Sequence, residues 1–137
     1  MVHYWRSMEN EVKRMDIRTG IDAEEIAEVK RLMENGRFLN RILGEREYAY
    51  YESKGFKPES VAGAWCAKEA FAKVLGTGFS GFALSEVEVL HNELGKPFYG
   101  LSKKLTNRVV EEGLKLDLSI THTDTLAMAI CVALKED

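Results

Sequence analysis

The apolar positions of this 137-residue chain change period along its length, and the changes mark its elements. "MDIRTGID" reads as a short strand ending near Asp22. In "AEEIAEVKRLMEN", Ile26, Val29, Leu32 and Met33 fall on one helical stripe, and Asn35-Gly36 is a stop signal. "RFLNRIL" and "EREYAYYESKG" follow as two short helical pieces, the second ending at Gly55. Pro58 opens a long helix over 58–75, with Glu59 in its first turn, where an acid favours the helix dipole. Ala64, Ala67, Phe71 and Val74 form its buried stripe. "EVEVL" then alternates like a half-buried strand, and "NELGKPFYGL" reads as a turn leading into another. Residues 102–113 suit a short helix, with Ser102 as N-cap and Gly113 at the end. "LDLSITHT" and "TLAMAICVAL", turning at "HTD", predict an antiparallel hairpin. One strand, then helices, then a β-rich end predicts a compact α+β domain over 15–137, its helices packed on an antiparallel-rich sheet. Residues 1–14, "MVHYWRSMENEVKR", have no clear period and form an N-terminal extension to which no role is assigned.

Composition narrows the function classes. The chain is 45% hydrophobic and 30% charged, ordinary for a soluble globular protein. A formal charge of −3 argues against a broad nucleic-acid surface. One basic stretch stands out, Lys30 to Arg46, where Lys30, Arg31, Arg37, Arg41 and Arg46 face only Glu34 and Glu45. Cys66 and Cys131 both sit among apolar residues, which predicts packed thiols rather than a bridge and suits a reducing cytoplasm. No segment is apolar over the length a membrane span needs, and no signal-peptide core is apparent, so no membrane association is expected.

Candidate chemistry centres on residues 63–78, "GAWCAKEAFAKVLGTG". Glu69 and Lys73 are one helical turn apart, and the spacing alone predicts a surface ion pair contributing roughly 0.3–0.5 kcal/mol. Two features argue for more. Trp65 shares their side of the helix, and Gly76-Thr77-Gly78 leaves backbone N–H groups open to a phosphate. Asp22 suits either an N-cap for a helix starting at Ala23 or a site residue at a strand end. His122, within "SITHTD", reads by itself as an exposed turn histidine, and "NELGKP" as a turn. His3 and His91 have no partner pattern, and no His/Cys set has zinc spacing.

"GID", "RFLNRIL", "KEAFAKVLGTG", "EVEVLHNELGKP" and "LSITHT" occur in one order that resembles the holo-acyl-carrier-protein synthase family, the small type of 4′-phosphopantetheinyl transferase. The resemblance runs from about residue 16 to 134. It implies an enzyme that moves the phosphopantetheine arm of coenzyme A onto a serine of an apo carrier protein and releases adenosine 3′,5′-bisphosphate. It also implies a homotrimer with active sites between neighbouring subunits. By the same resemblance Asp22 and Glu69 would bind Mg²⁺, and Lys73 would contact the phosphate; these three are the expected catalytic residues. Gly76, Thr77, Gly78, Lys96, Pro97, Thr121, His122 and Thr123 would line the coenzyme A site. Two carboxylates suffice for Mg²⁺, which keeps water and completes its shell with phosphate oxygens. Asp22, Glu69 or a water on the metal could take the serine proton.

Carrier proteins of this system are acidic, so Lys30, Arg31, Arg37 and Arg41 are candidate carrier contacts, with Trp65 beside them. The carrier could serve fatty-acid or secondary-metabolite synthesis. Four positions depart from the family pattern. Glu28 replaces a basic residue, Ala64 an arginine, Trp65 a phenylalanine, and Arg18 the first glycine of "GIGxD". The changes predict an altered carrier preference, with Lys30 and Arg31 replacing the lost charge, and a turn before Asp22 narrowed by Arg18. The competing reading is a non-catalytic relative that binds coenzyme A or a carrier.

Overall fold

A computed structural model describes residues 15–136. The N-terminal extension lies outside them. Eleven elements follow in order: β1 (Met15–Glu25), α1 (Ile26–Leu32), α2 (Phe38–Ile42), α3 (Glu45–Ser53), α4 (Pro58–Leu75), a 3₁₀ turn (Leu84–Glu86), β2 (Val87–His91), β3 (Pro97–Leu101), α5 (Lys103–Glu111), β4 (Leu114–His122) and β5 (Leu126–Glu136). A three-stranded antiparallel sheet has the order β1-β5-β4, and β2 and β3 form a separate hairpin. The α+β architecture read from the pattern is the one observed, and helix α4 spans the predicted residues from Pro58 to a left-handed Gly76 at its C-cap.

The first strand runs three residues further than its pattern suggests. β1 pairs with β5 from Met15 to Glu25, with Asp22 opposite Ala129. Ladder hydrogen bonds from a strand more than a hundred residues away hold 23–25 extended, and α1 begins only at Ile26. Asp22 is therefore a mid-strand residue and not a helix cap. Arg18 narrows no turn either, because it lies within β1 opposite Ala133. Leu32, predicted on the buried stripe of α1, is exposed at its last turn.

Helix α4 lies across one face of the sheet, and two glycines set how close it comes. A Cβ on Gly20 of β1 would lie 2.0 Å from the Ala70 carbonyl oxygen, and one on Gly63 would meet Ile120 Cγ2 at 2.8 Å. Both positions need hydrogen where other residues carry carbon. Ala64, Cys66, Ala67, Ala70, Phe71 and Val74 are fully or almost fully buried on α4, and the two cysteines are free thiols in the core. Among the described residues no helix is long and apolar enough to cross a membrane.

The centre of this packing is polar. Lys68 of α4 and Glu47 of α3 are both fully buried. Lys68 Nζ donates to Glu47 Oε1 at 2.7 Å, to the Leu84 carbonyl at 3.1 Å and to the Val87 carbonyl. Glu47 also accepts from the Gly44 N–H (3.0 Å) and the Val89 N–H (2.8 Å). Three ammonium protons meet three acceptors, so no buried charge is left unsatisfied. Burial pushes the Glu47 carboxyl above its ordinary 4.5, and Lys68 is the largest influence pulling it back.

Lys68→Met should leave Glu47 without its counter-charge and cost about 3–5 kcal/mol in urea unfolding. In that variant native Glu47 holds a proton more tightly than unfolded Glu47 does. The variant should thus be most stable below pH 4.5 and lose stability as pH rises through the native pKa, which a series of melts against pH would show.

Candidate active site

The close approach at Gly20 brings Asp22 of β1 beside the side chains of α4. Successive strand residues point to opposite faces, so Gly20, Asp22 and Glu24 all face the helix. Lys73 Nζ donates to the Ile21 carbonyl at 2.7 Å and lies 3.5 Å from Asp22 Oδ1. No Glu69–Lys73 ion pair forms. The i,i+4 partner loses to Asp22, which the sheet presents to the same lysine. The ion pair predicted from the spacing is thus replaced by one between Lys73 and Asp22.

Asp22 Oδ2 is buried and has no well-formed hydrogen bond among the described residues, with the Cys66 thiol close to the same carboxylate. Burial, then the negative charges of Asp22 and Glu24, push the Glu69 carboxyl above the usual range. Lys73 and the nearby indole N–H of Trp65, itself without a well-formed hydrogen bond, pull it partly back. Glu24 is shifted up in turn by burial and by Asp22 first among its charged neighbours. Cys66 shares this environment, and burial with Asp22 and Glu24 pushes its thiol up to about 12. Carboxylates are thus crowded together with one lysine and one orphaned oxygen. That donor set fits a small hard cation that takes few protein carboxylates and fills its shell with water and phosphate. Among the described residues no group of three or more His, Cys, Asp or Glu could hold a metal by itself.

The remaining predicted residues fall into separate places. Gly76, Thr77 and Gly78 follow directly on α4, one turn past Lys73, and Gly76 and Gly78 are left-handed at φ 76° and 60°. Pro97 and His122 line a groove of about 270 Å³ together with Tyr50, Lys54, Lys57, Ser60, Gly63 and His91. Lys96 turns away from that groove and pairs with Asp117 at 2.9 Å. Thr121 lines a small apolar groove with Ile21 and Ile130. Thr123 is a turn residue, its Oγ1 accepting from the Thr125 and Leu126 N–H groups at 3.2 and 3.0 Å. The groove residues Tyr50, Lys54 and Lys57 went unnoticed in the sequence and His91 was set aside for want of a partner pattern; only two lysines flanking Gly55 hinted at them. His91 stacks on Tyr50 with ring centroids 4.7 Å apart, and burial lowers its imidazole below the usual value.

On and around α1 and α2, Lys30, Arg31, Arg37 and Arg41 are all exposed. Arg31 pairs with Glu28, so the acid that replaces a family cation is answered within its own helix. Trp65 is half-buried and stacked on Phe38 at 5.2 Å instead of standing free. Ala64 is fully buried, which removes it from any carrier-facing rim of this chain.

Comparisons with known proteins fall in one group. The sequence profile of the 4′-phosphopantetheinyl transferase superfamily matches residues 18–131. The chain is 41% identical over 119 residues to a holo-[acyl-carrier-protein] synthase of Clostridium beijerinckii, covering 86% of this chain and 97% of that one. Its fold matches the holo-[acyl-carrier-protein] synthase of Neisseria meningitidis with a TM-score of 0.80 at 29% identity, over 85% and 96% of the two chains. It also matches a synthase from Bacillus anthracis solved in complex with CoA (3′,5′-ADP), with a TM-score of 0.73 at 30% identity, over 89% and 99%.

Gly20→Ala should force β1 away from α4, because its new methyl meets backbone and not a movable side chain. We expect a loss of about 1–3 kcal/mol in thermal melts. The loosened contact between Asp22 and Lys73 should also reduce activity by more than the lost stability explains.

Proposed function

The chain belongs to the 4′-phosphopantetheinyl transferase superfamily, and from that membership we propose a Mg²⁺-dependent holo-acyl-carrier-protein synthase whose second product is adenosine 3′,5′-bisphosphate. The observation that carries the proposal is the orphaned, buried Asp22 Oδ2 set beside Glu69 and Lys73. Asp22 and Glu69 would hold the ion. When bound, it supplies charge compensation for the coenzyme A pyrophosphate and its leaving phosphate.

Lys73, exposed over half of its side chain, would contact the same phosphates. The Gly76 N–H closes α4 by donating to the Ala72 and Lys73 carbonyls, so the Thr77 and Gly78 N–H groups are the ones that would approach them from the end of α4. In the reaction the carrier serine oxygen bonds to the phosphorus of the pantetheine arm. The phosphoanhydride bond to adenosine 3′,5′-bisphosphate breaks, and the serine proton leaves to a base, for which Asp22 and Glu69 are the nearby carboxylates. Pro97 and His122 in the 270 Å³ groove would take another part of coenzyme A. The exposed cations Lys30, Arg31, Arg37 and Arg41 would meet an acidic carrier, with Trp65 bracing them through Phe38. Two free, buried cysteines support a cytoplasmic setting.

The homotrimer implied by the family requires a self-association surface, and the bare face of the sheet is the candidate for it. The helix α4 covers one face, while Ile17, Ile21 and Ile130 stand 68%, 54% and 37% exposed. Ile21 and Ile130 are directly paired across β1 and β5, so they form one continuous apolar row. A second copy of the chain is the surface that would cover it.

Incubation with coenzyme A, Mg²⁺ and a panel of apo carriers should add about 340 Da to one of them, the mass of the transferred arm. Glu69→Gln should abolish that gain with an unchanged melting curve. Coenzyme A binding with no mass gain on any carrier would instead identify a non-catalytic relative. Ile21→Lys should shift the wild-type assembly toward monomer in sedimentation, and an unshifted profile would refute the sheet-face interface.

A further inference from the structure

The segment joining α4 to the 3₁₀ turn has little to hold it by itself. Gly76, Gly78 and Gly81 are all left-handed, with φ 76°, 60° and 89°, and glycine backbone loses the most freedom on ordering. Helix α5 supplies the missing hold. Its Leu105 and Val109 are buried in one cluster with Phe82, and Phe79 packs against that cluster. Above them, Lys104 and Arg108 lie one helical turn apart and both reach the segment. Lys104 Nζ donates to the Gly81 carbonyl, and Arg108 Nη2 donates to Thr77 Oγ1 at 3.1 Å.

Arg108 is itself held in place. Its Nε donates to Glu112 Oε2 at 3.2 Å, and Glu112 Oε1 accepts from Arg18 Nη1 at 3.4 Å. Arg18 Nε lies 3.6 Å from Asp16. A continuous chain of charge therefore runs from β1 through α5 to the glycine turn. The bond to Thr77 has a chemical consequence. A threonine hydroxyl has one proton to give and lone pairs to accept with. With Arg108 occupying a lone pair, the Thr77 proton is free to be donated to another acceptor, and a fixed guanidinium stands behind it.

We propose that Arg108 is a positioning residue for the phosphate end of the substrate. It holds the Gly76–Gly78 turn in one conformation and orients Thr77 as a hydroxyl donor toward a phosphate oxygen, with Glu112 and Arg18 fixing its guanidinium. The inference rests on the reading that this turn borders coenzyme A. It makes Arg18 the anchor of the chain, a use for that side chain which the sequence did not suggest.

The test uses the full-length protein with Mg²⁺ and coenzyme A. Arg108→Gln should raise KM for coenzyme A about tenfold, the scale of one hydrogen bond to a charged group, while kcat and KM for the carrier stay within about twofold. Arg108→Lys should recover part of the loss. Thr77→Val removes the other end of the same bond without touching α5, and the double variant should be no worse than either single one. Without any ligand, amide exchange over 76–82 should be faster in Arg108→Gln than in the wild type. An unchanged KM for coenzyme A in an active Arg108→Gln, additive losses in the double variant, or unchanged exchange would overturn the proposal. A wild type that neither binds coenzyme A nor transfers its arm would sink the transferase reading and this inference with it.

Discussion

The arrangement depends first on the buried pair between Lys68 and Glu47. It joins α3, α4, the 3₁₀ turn and β2 through a single ammonium whose three protons all have acceptors. Such a pair contributes little net stability against a well-packed apolar alternative, but it permits one geometry only. Lys68 and Glu69 are consecutive, and consecutive helical residues point about 100° apart. Pinning Lys68 toward α3 and β2 therefore fixes the roll of α4 about its axis. With that roll fixed, Glu69 is directed out of the core at the side where β1 brings Asp22. The neutral-seeming dipeptide "KE" thus has an inward half that sets the orientation and an outward half that uses it.

Gly20 adds the second coordinate. The pair sets which way α4 faces, and the absence of a side chain at Gly20 sets how near β1 lies. Together they place an acid of the strand against the acid and lysine of the helix. The result is electrostatically unfavourable in part, since Glu69 and Glu24 are both displaced upward by burial and by Asp22. A fold does not assemble crowded carboxylates for stability. Under the proposed function it would be the preorganised half of a charge arrangement that a cation and phosphates complete.

The elements legible in the sequence were those whose signals are local. Pro58 and Gly76 delimit α4, Ser102 caps α5 with its Oγ accepting from the Leu105 N–H at 3.3 Å, and the final hairpin has its turn between His122 and Leu126. What could not be read depends on distant partners. The extension of β1 to Glu25 comes from β5, and the change of partner at Lys73 comes from β1. Lys68 gave no sign of burial, because a lysine beside a glutamate on a helix reads as a solvated face. The groove at His122 draws on α3, α4, the β2–β3 turn and β4, and no window along the chain contains them all. Glu69 and Lys73 drew notice by their helical spacing and Asp22 by its place at a strand end, but only the resemblance joined the three, because nothing in their separation along the chain brings Asp22 to the helix.

The same structure alters where specificity should be sought. Two of the departures from the family pattern pointed to a changed carrier rim, yet Ala64 is inside the core and Glu28 is paired with Arg31 on its own helix. Neither presents an uncompensated charge to a partner. Lys30, Arg37 and Arg41 remain exposed with no acidic side chain paired to them among the described residues, so the basic face keeps its sign. Charges on such a rim act mainly through encounter rate and the rejection of wrong partners. The departure with the longest structural reach is instead Arg18, which stands in β1 on the helix side of the sheet and ends at the glycine turn through Glu112 and Arg108. Variation at the carrier face would tune which protein is modified; variation along this internal chain would tune how the phosphates are held. On the proposed reading, the chain would differ from the family pattern more in how its glycine turn is supported than in the charge it offers a carrier.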